Sequence, residues 1–309
     1  MLNSFLTSAQ QVFTLFLLMM VGFTLGKVKL LDDHSSIGLS NLAMYVVNPA
    51  MLIAAFQRDF VVSDFRNFGL ALAVSFLIHL LLIILSNWSI LEKDPQRKGI
   101  FRFSTIFSNC GFMGYPIMTS IVGSIGVYYG SAYVIAVNLL AWTCGIYLLT
   151  GKRENMNWKP MLFNPGVLGV VVAMVLYLLH IRLPDLIMVP LNHLSGMNAP
   201  IPMIVVGYQL SHADFSQAVR GIGAWSAIVM RLVVSPLLAI GLCLLLHLRG
   251  DVAIVMIIAA STPPGTLASM LAAKHRLNAS LTSSVMSVQT AMSILTIPVF
   301  VGLGQYLLG

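Results

Sequence analysis

Two short stretches concentrate the residues able to do chemistry: Asn109-Cys-Gly-Phe-Met-Gly-Tyr-Pro116 and, about 150 residues later, Ser261-Thr-Pro-Pro-Gly265. Each lies mid-way along an otherwise apolar segment. Glycine lets backbones approach closely, and proline removes an N–H and frees a carbonyl, so a helix can stop and restart at both places. A restarted helix points unsatisfied N–H groups and the positive end of its dipole ahead of it, and such an end attracts anions. Pro263-Pro264 suits the first turn of a new helix, with Ser261 and Thr262 as its caps. Bare polar backbone at bilayer depth is tolerated only where protein or a water-lined cavity shelters it, so paired breaks mark a candidate binding site. Taken singly, either stretch also reads as a kinked but continuous spanning helix.

The rest of the chain supplies the membrane setting. Of its 309 residues 58% are hydrophobic and only 9% charged, against about 25% charged in soluble domains, and the mean hydropathy is +0.90. This is an integral membrane protein. At roughly 20 apolar residues per span, the length accommodates about ten spans and no separate soluble domain. The formal net charge of +7 arises from Lys and Arg set singly or in small groups between apolar segments. They are topology signals rather than a nucleic-acid footprint. The N-terminus MLNSFLTSAQ lacks the basic region of a cleaved signal peptide and is expected to be retained. Cys110, Cys144 and Cys243 are too scattered for a disulfide framework or metal site. Every Asp and Glu falls at or near a segment end, leaving no carboxylate at mid-membrane. With no HExxH, GxSxG or Walker pattern, neither an enzyme nor a cofactor is expected.

The apolar segments run near 10–30, 36–56, 65–90, 99–122 and 127–149, then 161–181, 186–210, 222–248, 252–274 and 279–308. GKRENMNWKP, residues 151–160, is the best linker and divides a first five-helix repeat (1–150) from a second (161–309). Asn48-Pro49 followed by Asp59-Phe60 matches Asn198, Pro200 and Pro202 followed by Asp214-Phe215, and the broken fourth segment matches the broken ninth. Five spans per half would give the halves opposite orientations, the inverted repeat of many secondary transporters. With the N-terminus outside, Lys27, Lys29, Lys93, Arg97, Lys98, Arg102, Lys152, Arg153, Lys159, Arg220, Lys274 and Arg276 lie inside. Only Arg58, Arg66, Arg182 and Arg249 lie outside, which predicts both termini outside.

At NCGFMGYPI the sequence resembles the N-x-x-(F/L)-x-G-x-P motif of the auxin efflux carrier family. PPGTLASMLAAKH resembles that family's P-P-x-x-x-(A/S)-x-x-(L/I)-A element, and NLAMYVVNPAMLI is similar to its second-helix motif. The resemblance implies an all-α membrane protein of ten helices in two inverted repeats. Broken helices 4 and 9 would cross in a transport core of helices 3–5 and 8–10, beside a scaffold of helices 1, 2, 6 and 7. It implies carriage of an organic anion: auxin in plant members, malate or malonate in bacterial ones. The short linker points to the compact bacterial branch rather than to auxin. By position, Asn109 becomes a substrate-contacting amide, with Cys110 beside it and Gly111, Gly114 and Pro116 shaping the crossover. Ser261, Thr262, Pro263, Pro264 and Gly265 form the second break, and Asn48-Pro49 and Asn198-Pro200 face the site from the scaffold. A homodimer through the scaffold is likewise implied only by the resemblance.

Several further residues admit more than one reading. Asn138 and Gln289 are either site residues beside the crossing or polar contacts between helices. Tyr133 is a site aromatic or core packing, and His79 a titrating group or a packed one. Arg231 is the only charge deep within a segment, at a cost of about 2.5–3.5 kcal/mol on insertion scales. It is a counter-charge facing substrate, a side chain that snorkels, or a ligand of backbone carbonyls at an interface.

Together these features predict a multi-pass protein of the cell (inner) membrane. It would move a small organic anion, a mono- or dicarboxylate such as malate or malonate or an auxin-like acid, by elevator-type alternating access. The competing classes are a sodium-coupled symporter of the bile-acid type, a membrane sensor module and a channel. A symporter of that type would be expected to set Glu, Asp or Gln around the crossing, where only Gln289 is available.

Overall fold

The computed structural model describes residues 2–152, 165–265 and 267–309, and these are helical apart from short connections. Most of the linker expected at 151–160, and the first four residues of the expected sixth segment, lie outside the described residues.

Among the described residues, six helices are long and apolar enough to cross a membrane: Ala9–Lys27, Asp33–Phe56, Val62–Ser89, Ser124–Thr150, Ile222–Leu245 and Ala279–Leu308. Shorter apolar helices, Cys110–Val122, Pro165–Leu178 and Gly250–Ser261, accompany them. Their ends follow local chemistry. The carboxylates of Asp32 and Asp94 accept from the N–H groups of Ser35 and Arg97, both at 2.8 Å, capping the helices that follow. The Asn278 side chain accepts from Leu281 at 2.9 Å to start the last long helix. Gly151, left-handed at φ 68°, stops the helix ending at Thr150.

Proline acts here mainly by widening turns. The π turns Ala43–Val47, Cys110–Gly114 and Met230–Val234 run directly into Asn48-Pro49, Tyr115-Pro116 and Ser235-Pro236. A proline cannot donate to the carbonyl four residues back and its ring pushes that carbonyl aside, so the preceding turn loosens to i→i+5 bonding. Asp33–Phe56 therefore stays one helix through the Asn48-Pro49 interruption expected from sequence. The expected single segment 186–210 is instead two helices, Asp185–Gly196 and Pro200–Ser211. Neither Pro200 nor Pro202 can donate an N–H to continue a helix arriving from Gly196.

Two packing regimes surround the site. The first helix runs against Pro200–Ser211 at close range. Gly22 faces the Ile204 carbonyl, Gly207 the Met19 carbonyl and Gly26 the Ser211 hydroxyl, all places where a Cβ would collide. Small residues at such a seam let two apolar helices gain contact without a solvent-driven force. Gly250–Ser261, by contrast, is buried all round from Val252 to Ser261. It runs through the middle of the molecule and carries one of the two breaks.

Candidate functional site

The helix Pro95–Ile106 ends as Phe107 turns to extended backbone (φ −100°, ψ 118°). Gly250–Ser261 ends in the same way at Thr262 (φ −68°, ψ 144°). The two extended segments meet: Ser108 and Pro264 form an antiparallel bridge, and the Asn109 N–H donates to the Pro263 carbonyl at 2.7 Å. Beyond the bridge both chains become helical again, as Cys110–Val122 and Leu267–Lys274. The Asn109 carbonyl accepts from Met113 and Gly114 at 3.0 and 3.3 Å and so opens the first of these. With its backbone spent on the crossing, Asn109 has no side-chain hydrogen bond among the described residues.

Glycines flank the crossing at ordinary contact distances. A Cβ at Gly265 would lie 3.4–3.5 Å from Asn109, and one at Gly114 would lie 3.6 Å from the Thr262 methyl. Gly111 is roomier, with the Asn48 amide nitrogen and a Val134 methyl each 3.9 Å from where a Cβ would stand.

A cavity of about 110 Å³ opens at the N-terminal ends of both restarted helices. Asn48, Ser108, Asn109, Cys110, Gly111, Asn138 and Gly265 bring polar groups or bare backbone to it. Met44, Phe112, Val134, Val137, Leu267 and Met270 supply most of the apolar wall. Among the described residues that line it, none is charged. Its electrostatics therefore come from backbone: two helix N-termini, each worth roughly half a positive charge, face the same space. Asn48 is buried with its Oδ1 unpaired. Asn138 commits its Nδ2 to the Val134 carbonyl at 2.9 Å.

Of the residues singled out from sequence, Asn48, Asn109, Cys110, Gly111, Asn138 and Gly265 line this cavity together. Pro49, Gly114, Pro116, Pro263 and Pro264 shape the backbone around it. Ser261 and Thr262 do not cap the second restarted helix. Their hydroxyls donate backwards, to the Ile257 and Ala259 carbonyls at 2.7 and 2.9 Å, because Thr262 is extended and the new helix starts several residues on. Tyr133 is buried one turn before Val137, with its ring 4.9 Å from that of His79. His79 is itself buried and bonded through Nδ1 to the Ser75 carbonyl at 2.6 Å. Gln289 and Asn198 are buried without a side-chain hydrogen bond among the described residues, and neither lines the cavity. Arg231 does not line it either; its guanidinium lies at the C-terminal ends of the two interrupted helices.

Sequence reasoning passed over Met44, Ser108, Val134, Val137 and Met270. The signal was helical spacing: Met44 and Asn48, like Val134 and Asn138, are four apart and share a face. Among the described residues no group of three or more His, Cys, Asp or Glu could hold a metal ion.

A family model described as "Membrane transport protein" matches residues 7–161 and 154–301. An uncharacterized transporter of Methanothermobacter thermautotrophicus is 24% identical over 306 residues, covering 96% of this chain and 98% of its own length. An uncharacterized transporter of Methanocaldococcus jannaschii is 25% identical over 279 residues, covering 86% of this chain and 88% of its own.

Proposed function

We propose that this chain, which belongs to the auxin efflux carrier family of membrane transport proteins, carries a small organic anion across the membrane by alternating access around the crossed breaks. The observation that supports this most directly is the convergence of two helix N-termini on an uncharged cavity beside the free amide of Asn109. An anion entering there meets N–H groups already oriented and needs no cationic side chain. Asn109 and Asn48 would hydrogen-bond the carboxylate, with Asn138 at the edge and Gly111 and Gly265 leaving room for it.

The size of the cavity favours a compact cargo. An apolar cavity of about 150 Å³ holds one benzene ring, so about 110 Å³ suits a short mono- or dicarboxylate such as malonate or malate better than indole-3-acetate. The architecture in this reading is ten spans in two inverted repeats, residues 1–150 and 161–309, joined by a cytoplasmic linker. Helices 3–5 and 8–10 would move as an elevator against helices 1, 2, 6 and 7, with both termini outside the inner membrane and the scaffold pairing in a homodimer.

Uptake into vesicles reconstituted with the purified protein tests it, with malate, malonate, shorter monocarboxylates and indole-3-acetate offered in turn. Saturable uptake with counterflow for a short carboxylate is expected. Channel-like conductance, or affinity unchanged in Asn109→Ala, would overturn it.

A further inference from the structure

Arg231 is fully buried in the π turn Met230–Val234, yet none of the three ion pairs among the described residues includes it. A guanidinium carries five N–H donors, and here all five are used on main-chain oxygens. Nε donates to the Thr262 carbonyl at 2.9 Å. Nη2 donates to the Thr262 and Ala260 carbonyls at 2.7 and 3.1 Å, and Nη1 to those of Thr105 and Ile106 at 3.2 and 3.3 Å. Ser235, four residues on, adds its hydroxyl to the Ala260 carbonyl at 3.0 Å. These acceptors belong to the last turns of Pro95–Ile106 and Gly250–Ser261, where a helix leaves its carbonyls without intrahelical partners. Each such end carries roughly half a negative charge, so the two together balance one guanidinium.

Four inward-facing carbonyls, with the buried and unpaired Thr105 hydroxyl beside them, form the oxygen-rich setting that a hard metal cation would take. We propose that Arg231 is a built-in cation. It fills the place where the crossing would otherwise need a bound monovalent ion, and so makes the crossing independent of sodium and potassium. On the transport reading above, on which this clause rests, it makes carriage of the anion independent of them too.

The test is the melting temperature of the purified protein in sodium, potassium, choline and millimolar methylguanidinium salts, which needs no assumption about cargo. The wild type should melt alike in all four. Arg231→Ala, which empties the place of the side chain, should lose several degrees in choline and recover part of the loss with methylguanidinium or sodium, the recovery growing with concentration. Arg231→Met, which fills the space without charge, should lose stability and recover none. Should Arg231→Ala fail to fold, Arg231→Lys takes its place: it keeps the charge but fewer of the bonds, and is expected to melt below wild type and gain from methylguanidinium. A wild type stabilised by sodium over choline would overturn the proposal. So would an alanine variant, or the lysine variant in its stead, that loses nothing or loses equally in every cation. Sodium-independent melting combined with no anion uptake would leave this proposal standing and sink the transport reading instead.

Discussion

On its C-terminal side the crossing is closed by Arg231, whose five donors take up the spare carbonyls of two helices. On its N-terminal side the same two breaks open into a cavity of about 110 Å³ whose described lining residues carry no charge. Both sides arise from one act, the interruption of a helix, and each interruption yields about half a negative and half a positive charge. The protein neutralises the negative pair with its own side chain. It leaves the positive pair, worth about one unit, unanswered. On the proposed transport reading, the difference separates a structural side of the crossing from a ligand side, and a ligand carrying a single negative charge would answer the latter.

Substitution on the two sides should give opposite phenotypes. Losing Arg231 leaves several buried carbonyls unpaired, each worth on the order of 1–3 kcal/mol, so Arg231→Ala should lower the melting temperature more than any other change considered. Losing the Asn109 amide removes a hydrogen bond to a charged ligand, worth about 1.5–3 kcal/mol. Asn109→Ala should therefore weaken anion binding by roughly 10- to 150-fold while melting close to wild type. Calorimetric binding and thermal denaturation on the same preparations measure both. If the two variants fail in the same way, the division into a structural and a ligand side is wrong.

The charge balance also predicts a pH dependence with a definite sign. A short dicarboxylate is a monoanion between its two pKa values and a dianion above the second. If the site answers one charge, its apparent affinity should weaken as pH rises through the second pKa, by up to about tenfold per unit, while that of a monocarboxylate stays flat. A dicarboxylate bound more tightly at high pH would show that the cavity holds two charges.

Steric changes at the glycines should do less. A Cβ at Gly265 or at Gly111 would stand in ordinary van der Waals contact, but at Gly265 it would lie nearer, 3.4–3.5 Å from Asn109, than the 3.9 Å at Gly111. Gly265→Ala is expected to weaken binding several-fold and Gly111→Ala by less, as titration of both variants would register. The reverse order would place the ligand nearer Gly111 and Asn48 than Asn109.

How much of this was legible in the sequence differs between the two sides. The breaks themselves were, because glycine and proline recur together in two apolar runs about 150 residues apart, and Asn109, Gly111 and Gly265 follow from them. Six of the ten expected apolar spans were also legible; the last, Ala279–Leu308, agrees at both ends. That Arg231 binds backbone carbonyls was one of its readings, but which carbonyls was not legible. They are backbone carbonyls 29 to 126 residues away, and a carbonyl has no side-chain type to betray it. The backward bonds of Ser261 and Thr262 were hidden for a similar reason, since a hydroxyl beside a break can serve the helix it ends or the helix it begins, and only the extended backbone at Thr262 decides.

Gln289 offers the finest test of where the ligand side stops. It is fully buried, and both its Oε1 and Nε2 lack a partner among the described residues, although the cavity does not reach it. An amide in that condition costs roughly 1–3 kcal/mol against an apolar group of similar size. Gln289→Leu should then raise the melting temperature slightly and leave anion affinity unchanged. A variant that melts higher but no longer binds would mean that the amide is kept, at a cost in stability, for the anion. The ligand side would then extend beyond the cavity to the last helix.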